Sequence, residues 1–288
     1  MTNTSTNAGD ARRKPRVSAN APSLEARRPS GGTQRHFKAL RTIVALMLRE
    51  MSTRYGRTPG GYIWSLLEPV AAILFLSFGF SLMIRTPPLG TSFLLFYTTG
   101  YLPFGMYNNI SNTTAKATIY SRSLLKFPAV NWLDAILARL FLNSLTNIVV
   151  MFIVIGGVWV AVDGRSVIDL PSALVGVGLA IILGLGVGTV NSVLMGLYPL
   201  WSLTWSIITR PLFLASGVLF LFRDLPPLAR DILWYNPLIH ITGIVRAAFY
   251  SSYDASYTSV TYVMLLSMTL LTLGLILMGR YHRDLLND

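Results

Sequence analysis

The chain has 288 residues, of which 52% are hydrophobic and 12% charged, with a formal net charge of +12 and no cysteine. A charged fraction about half that of an ordinary soluble domain leaves too little polar surface to solvate the chain in water, and the length suits several membrane spans. The missing cysteine excludes disulfides, thiolate metal sites and a cysteine nucleophile.

Positive charge is concentrated early, since 12 of the 24 Lys and Arg precede residue 64. Residues 1–37 hold Arg12-Arg13-Lys14, Arg16 and Arg27-Arg28 among Asn, Ser, Thr, Pro and Gly. They read as a disordered basic cytoplasmic tail that brushes anionic lipid. A secretory signal is disfavoured, because no apolar run follows these basic residues closely. Over 38–58 the pattern becomes helical: Leu40, Ile43, Val44, Met47, Met51 and Tyr55 recur at three- and four-residue spacing, with Lys38, Thr42, Arg49 and Thr53 opposite. That is a helix for lying in the membrane interface, with Arg54 at the edge of the apolar stripe, where it can snorkel. Pro59-Gly60-Gly61 then turns the chain into the bilayer.

At about 20 apolar residues per crossing, six spans are predicted at about 64–84, 93–110, 136–162, 170–196, 202–222 and 260–279. The uncharged stretch 170–209 is too long for one helix, so Tyr198-Pro199 marks a turn within it. Residues 223–258 are apolar but interrupted by Asp224, Pro226-Pro227, Asp231, Pro237 and Asp254, which suits a re-entrant helical pair before the last span. The expected fold class is all-α integral membrane: an N-terminal interfacial amphipathic helix, then a transmembrane domain over 59–283, then a cytoplasmic end at 284–288. The positive-inside rule places both termini in the cytoplasm, with Lys116, Arg122, Lys126, Arg280 and Arg283. Arg85, Arg165, Arg223, Arg230 and Arg246 fall on the far side and are balanced by five aspartates.

Chemical motifs are mostly missing. No Walker phosphate loop, paired-histidine zinc motif or Gly-x-Ser-x-Gly elbow occurs. The histidines His36, His240 and His282 are too scattered for a metal. Gly184-Leu-Gly186-Val-Gly188 lies inside a span and reads as close helix packing, not dinucleotide binding. Glu68 is the only carboxylate inside a predicted span and sits near its cytoplasmic end, which weakens proton coupling. Its readings are an ion pair with Arg54, Arg57 or Arg210, or direct contact with a substrate. A membrane enzyme acting on lipid-linked sugars would need clustered acids or histidines, and a secondary transporter midplane charges or internal repeats; neither stands out.

The segment Leu48-Arg-Glu-Met-Ser-Thr-Arg-Tyr-Gly-Arg-Thr-Pro-Gly-Gly-Tyr-Ile-Trp-Ser-Leu-Leu-Glu-Pro69 resembles the entry segment of type-2 ABC transporter permeases, closest to the capsular polysaccharide branch. Leu102-Pro-Phe104, Arg210-Pro-Leu-Phe213, Ser216-Gly-Val-Leu-Phe220 and Trp234-Tyr-Asn-Pro-Leu-Ile-His240 extend the resemblance, which covers about 38–283. It departs at Leu221, where many members have proline. The resemblance implies a homodimer in the bacterial inner membrane, docked on two copies of a separate ABC ATPase. It also implies a lipid-linked capsular glycan as cargo and periplasmic and outer-membrane export partners. O-antigen and teichoic-acid export are the nearer alternatives. No cofactor belongs to this chain; ATP and Mg belong to the partner ATPase. Membrane lipids are expected to contact the chain, and nucleic acid is not.

On that resemblance, Lys116, Arg122, Lys126 and Phe127 belong to a coupling helix seated in the ATPase. Arg54, Tyr55, Arg57, Tyr62, Trp64 and Glu68 are expected at the entry or gate. Sugar rings stack on aromatic faces and their hydroxyls need partners. Tyr97, Tyr101, Phe104, Tyr107, Asn108, Trp201, Trp205, Arg210, His240, Arg246, Tyr250 and Tyr253 are therefore the candidate pathway, with packing, interfacial anchoring or structural capping as the competing explanation.

Overall fold

The computed structural model describes residues 38–54, 60–125, 130–162 and 168–282, and these are helical with no strand. Helix α1 (Lys38–Arg54) buries Ile43 and leaves Leu40, Val44 and Leu48 exposed, so its apolar stripe remains uncovered by protein. Gly60 and Gly61 follow at φ of +91° and +42°, values that favour glycine, and they turn the chain into α2 (Ile63–Met83). That helix is nearly naked: Phe75, Phe78 and Leu82 are each more than two-thirds exposed, as side chains facing lipid would be.

Helix α3 (Phe93–Ala115) is the opposite case. The Ser92 hydroxyl caps its start by accepting from Leu95 N, and most of its residues are buried. The short α4 (Ala117–Leu125) follows almost directly. Then come α5 (Trp132–Ala161) and α6 (Leu170–Leu197). At the start of α5 the Asp134 carboxylate accepts from Asn131 N at 3.2 Å. Helices α7 (Trp201–Leu214), α8 (Pro227–Leu233), α9 (Pro237–Phe249) and α10 (Val260–Tyr281) complete the order.

The core forms around α6, which packs along α3, α9 and α10. Its glycine run makes this possible on two sides at once. A Cβ at Gly184 or Gly188 would stand 3.0 Å from Tyr107 O and 2.8 Å from Ser111 O on α3. One at Gly186 would stand 2.7 Å from Ser267 O on α10. Close backbone approach of this kind drives helix association where apolar burial cannot, since lipid tails are as apolar as leucine.

Among the described residues four helices, α2, α5, α6 and α10, are long and apolar enough to cross a membrane. Helix α3, at 23 residues, has the length but carries three asparagines, a serine and two threonines in its second half. The span predicted over 202–222 is not one continuous helix. Helix α7 stops after 14 residues, about 21 Å. Ala215 ends it and Gly217 takes φ of +76°, after which the chain runs without regular structure to a 3-10 turn at Phe222–Asp224.

The non-helical backbone after α7 is buried, so its carbonyls need partners. Helix α9 and its cap supply them. Asn236 Nδ2 donates to Ala215 O at 2.8 Å and Thr242 Oγ1 to Ser216 O at 2.9 Å. The Arg246 guanidinium donates to Val218 O and Phe220 O, both at 2.9 Å, and lies 4.2 Å over the Phe96 ring.

Candidate functional site

Helices α1 to α5 surround a cavity of about 970 Å³. A second cavity, about 720 Å³, lies on the other flank of α3 against α7. Phe104, Asn108, Asn112 and Lys116 line both. The walls combine amides and hydroxyls with a few aromatic and aliphatic side chains, so a hydrated ligand can be held without full desolvation.

A polar seam joins α3 to α5 at the larger cavity. Asn147 Nδ2 donates to Asn109 Oδ1 at 3.1 Å and to Asn143 O at 2.7 Å. Asn143 Nδ2 donates to Arg139 O at 2.8 Å. Arg139 is the charged centre of the seam. Its Nη1 donates to Thr113 O at 3.1 Å, its Nε lies 3.1 Å from the Glu50 carboxylate, and its guanidinium sits 4.9 Å from the Tyr120 ring. The side chains of Arg139 and Glu50 are only 10% and 13% exposed, so this ion pair is screened far less than a surface one. One arginine thus ties together α1, the end of α3, and α4.

The entry residues divide. Trp64 and Glu68 line the larger cavity, and Tyr62 is exposed beside them. Among the described residues Glu68 forms no ion pair, and the pairing with Arg210 expected from charge is not made. Tyr55, Arg57 and the Arg54 side chain lie outside the described residues. Of the coupling residues, Lys116 lines both cavities and Arg122 is half-buried on α4. Lys126 and Phe127 lie outside the described residues.

Four of the expected pathway residues reach a cavity: Tyr101 the larger, Arg210 the smaller, and Phe104 and Asn108 both. The rest are placed elsewhere. Tyr97 and Tyr107 are buried in the core, Tyr97 against Phe80 and Phe96. Trp201 Nε1 donates to Asn191 Oδ1 at 2.9 Å, and Trp205 is half-buried on α7 away from both cavities. Tyr250 and Tyr253 are buried, Tyr253 sharing a 2.9 Å hydroxyl contact with Tyr257.

Arg246 and His240, expected near an exit, are closed into the core at 1% and 0% exposure because backbone groups occupy them. His240 Nε2 faces Trp234 O at 2.7 Å and Nδ1 accepts from Ser259 N at 3.1 Å. One ring nitrogen donating and the other accepting requires the neutral imidazole, and burial holds its pKa below the ordinary histidine value.

Sequence reasoning missed Glu50, Arg139, Asn109, Asn112, Asn143 and Asn147. The available signals were an arginine inside the span predicted from residue 136, and asparagines four apart within two apolar helices, 108 with 112 and 143 with 147. No three His, Asp or Glu among the described residues cluster to hold a metal.

Fold and site together define a polytopic helical membrane protein with a polar interior groove. The chain belongs to the ABC-2 type transporter family, whose profile matches residues 41–250. It is 31% identical over 238 residues to the polysialic acid transport protein KpsM of Escherichia coli, covering 82% of this chain and 92% of that protein. It is 30% identical over 251 residues to the capsule polysaccharide export inner-membrane protein CtrC of Neisseria meningitidis serogroup B, covering 84% and 92%. With the corresponding protein BexB of Haemophilus influenzae it shares 27% over 248 residues, again covering 84% and 92%.

Proposed function

We propose that this chain is the permease subunit of an ATP-driven exporter that moves lipid-linked capsular polysaccharide across the bacterial inner membrane. The observation that carries this reading is the near full-length similarity to proteins from three organisms named for polysialic acid or capsule transport. The open polar cavities beside α3 are suited to such a cargo, since a glycan presents hydroxyls that need partners throughout its passage.

The working unit is two copies of this chain with two copies of a separate ABC ATPase that binds ATP and Mg. It passes its cargo to periplasmic and outer-membrane export proteins. Helices α2, α3, α5, α6, α10 and α7 with its irregular extension form six spans. The α8–α9 pair re-enters from the far side, and both termini lie in the cytoplasm. The charge distribution supports this orientation.

Helix α4 is the coupling helix. It buries Ala117, Thr118 and Ser121 against the bundle, with Thr118 Oγ1 3.0 Å from Ser192 Oγ of α6, and leaves Ile119 half exposed and Tyr120 more than half exposed for the ATPase. Motion of Tyr120 is felt by Arg139, and through it by Glu50 of the interfacial helix and by the end of α3. Arg139 is therefore a positioning residue between ATPase and pathway.

Reconstitution into liposomes tests the reading. The chain alone hydrolyses no ATP and moves no glycolipid, and adding its ATPase produces both. Either activity from the purified chain alone contradicts it.

A further inference from the structure

The stripe Phe104, Asn108, Asn112 and Lys116, shared by both cavities, stays on one side of α3 for about 18 Å. The Asn112 amide nitrogen donates to Asn108 Oδ1 at 2.9 Å. Among the described residues, no hydrogen bond takes up the Asn108 amide nitrogen or Asn112 Oδ1. The neighbouring amides differ: Asn109 accepts across the helix pair from Asn147, and Asn143 donates to a backbone carbonyl. Open amide capacity inside an apolar bundle is stable only where water or a hydroxylated ligand completes it.

The two flanks of the stripe also differ in charge. Glu50 and Glu68 line the larger cavity together with Arg49, Lys116 and Arg139, and Glu50 is paired with Arg139. The smaller one, against α7, adds Ser206, Thr209 and Arg210 to Lys116 and has no carboxylate in its lining. An anionic group therefore meets two cations and no carboxylate on the α7 side, and charges of both signs on the other.

Resting on the export reading above, we infer that the α3 stripe and the facing surface of α7 bind an anionic, polyhydroxylated segment of the exported glycan. Asn108 and Asn112 bond sugar hydroxyls. Phe104, 5% exposed and packed against Phe213, forms an apolar wall beside them. Lys116 and Arg210 take an acidic oxygen, either a carboxylate on a sugar or a phosphate at the lipid-linked end.

The absence of native cysteine allows a direct test. Asn112→Cys, and Leu265→Cys on the exposed surface of α10 as a control, are placed singly in the chain and reconstituted with its ATPase in nanodiscs. The measured quantity is the rate of modification by an anionic methanethiosulfonate, with and without glycolipid extracted from cells that lack the permease. The cysteine at position 112 reacts, and glycolipid at ten times its half-saturating concentration slows the reaction roughly tenfold. The control cysteine neither reacts readily nor responds to glycolipid.

Carboxyl-reduced glycolipid and lipid-free polymer distinguish the two anion sources: loss of protection with the first assigns the sugar carboxylates, and with the second the terminal phosphate. Ser206→Cys, exposed on the α7 side, decides the matter if Asn112→Cys fails to assemble. A cysteine that is unreactive, or reacts equally with and without glycolipid, overturns the assignment. Stimulation of ATP hydrolysis by glycolipid in the cysteine-free parent is the separate control. Its absence overturns the export reading and the site with it, whereas stimulation without protection overturns the site alone.

Discussion

Two regions of this protein place polar side chains among apolar helices and use them in opposite ways. Between α7 and α9, Asn236, Thr242 and Arg246 are directed at the carbonyls of residues 215, 216, 218 and 220, and His240 is held between Trp234 O and Ser259 N. Along α3, Asn108 and Asn112 bond each other and otherwise face a cavity. The first region makes irregular backbone tolerable inside the protein; the second keeps hydrogen-bonding capacity for something that arrives. Polarity within a span is thus a mark of function only after the backbone has been searched for partners.

The comparison breaks most visibly at Arg246. Arg246→Met leaves the Val218 and Phe220 carbonyls orphaned at a cost of roughly 2–6 kcal/mol, about one to three for each. The expected outcome is loss of folded, detergent-soluble protein. Arg246→Lys does not restore it, because an ammonium lacks the planar fork that reaches both oxygens.

A smaller but more specific effect is expected at the ion pair. Arg139→Ala lowers glycan exported per ATP hydrolysed by about tenfold, within the usual range for a coupling free energy. ATP hydrolysis itself continues. The exchange Glu50→Arg with Arg139→Glu recovers part of the ratio, whereas either change alone does not; equal ratios in all three variants would remove Arg139 from the coupling route.

Replacing both amides, Asn108→Leu with Asn112→Leu, shifts stability by less than about 1 kcal/mol, because donor and acceptor are removed together. The same pair of changes raises the glycolipid concentration needed to stimulate ATP hydrolysis about tenfold, the value of two modest hydrogen bonds.

The smallest effect is acid sensitivity. His240 has a lowered pKa, so between that value and the ordinary histidine value of about 6.5 the unfolded chain binds more protons. Stability is full above pH 6.5 and falls as the pH drops through the folded-state pKa. A thermal melt at successive pH values shows the slope, and His240→Asn flattens it.

Much of the helix order was legible because hydrophobic runs and breakers report it directly. The glycines of α6 also carried their packing role in the sequence, since three alternating glycines inside an apolar helix have no other steric purpose. The early end of α7 was hidden: residues 211–222 are apolar enough to continue a helix, and what stops them is a set of side chains that arrive from about 20 to 30 residues later. The site was half-visible for a related reason. Aromatic residues and Asn108 drew attention as sugar-binding types, but composition cannot separate Tyr101, at the cavity, from Tyr97 and Tyr107, in the core. Arg139 and Glu50 lie 89 residues apart and on helices of different character, so only the folded chain joins them.

Measuring glycolipid-stimulated ATP hydrolysis and melting temperature side by side, in the reconstituted complex, compares the two regions most directly. Asn108→Leu with Asn112→Leu should need about tenfold more glycolipid for stimulation and keep its melting temperature, and Arg246→Met should lose melting temperature and, where folded protein survives, keep stimulation at the parent's glycolipid concentration. Unchanged stimulation in the double-leucine complex, or a fall in its stability as large as that of Arg246→Met, would contradict the division between occupied and open polar groups.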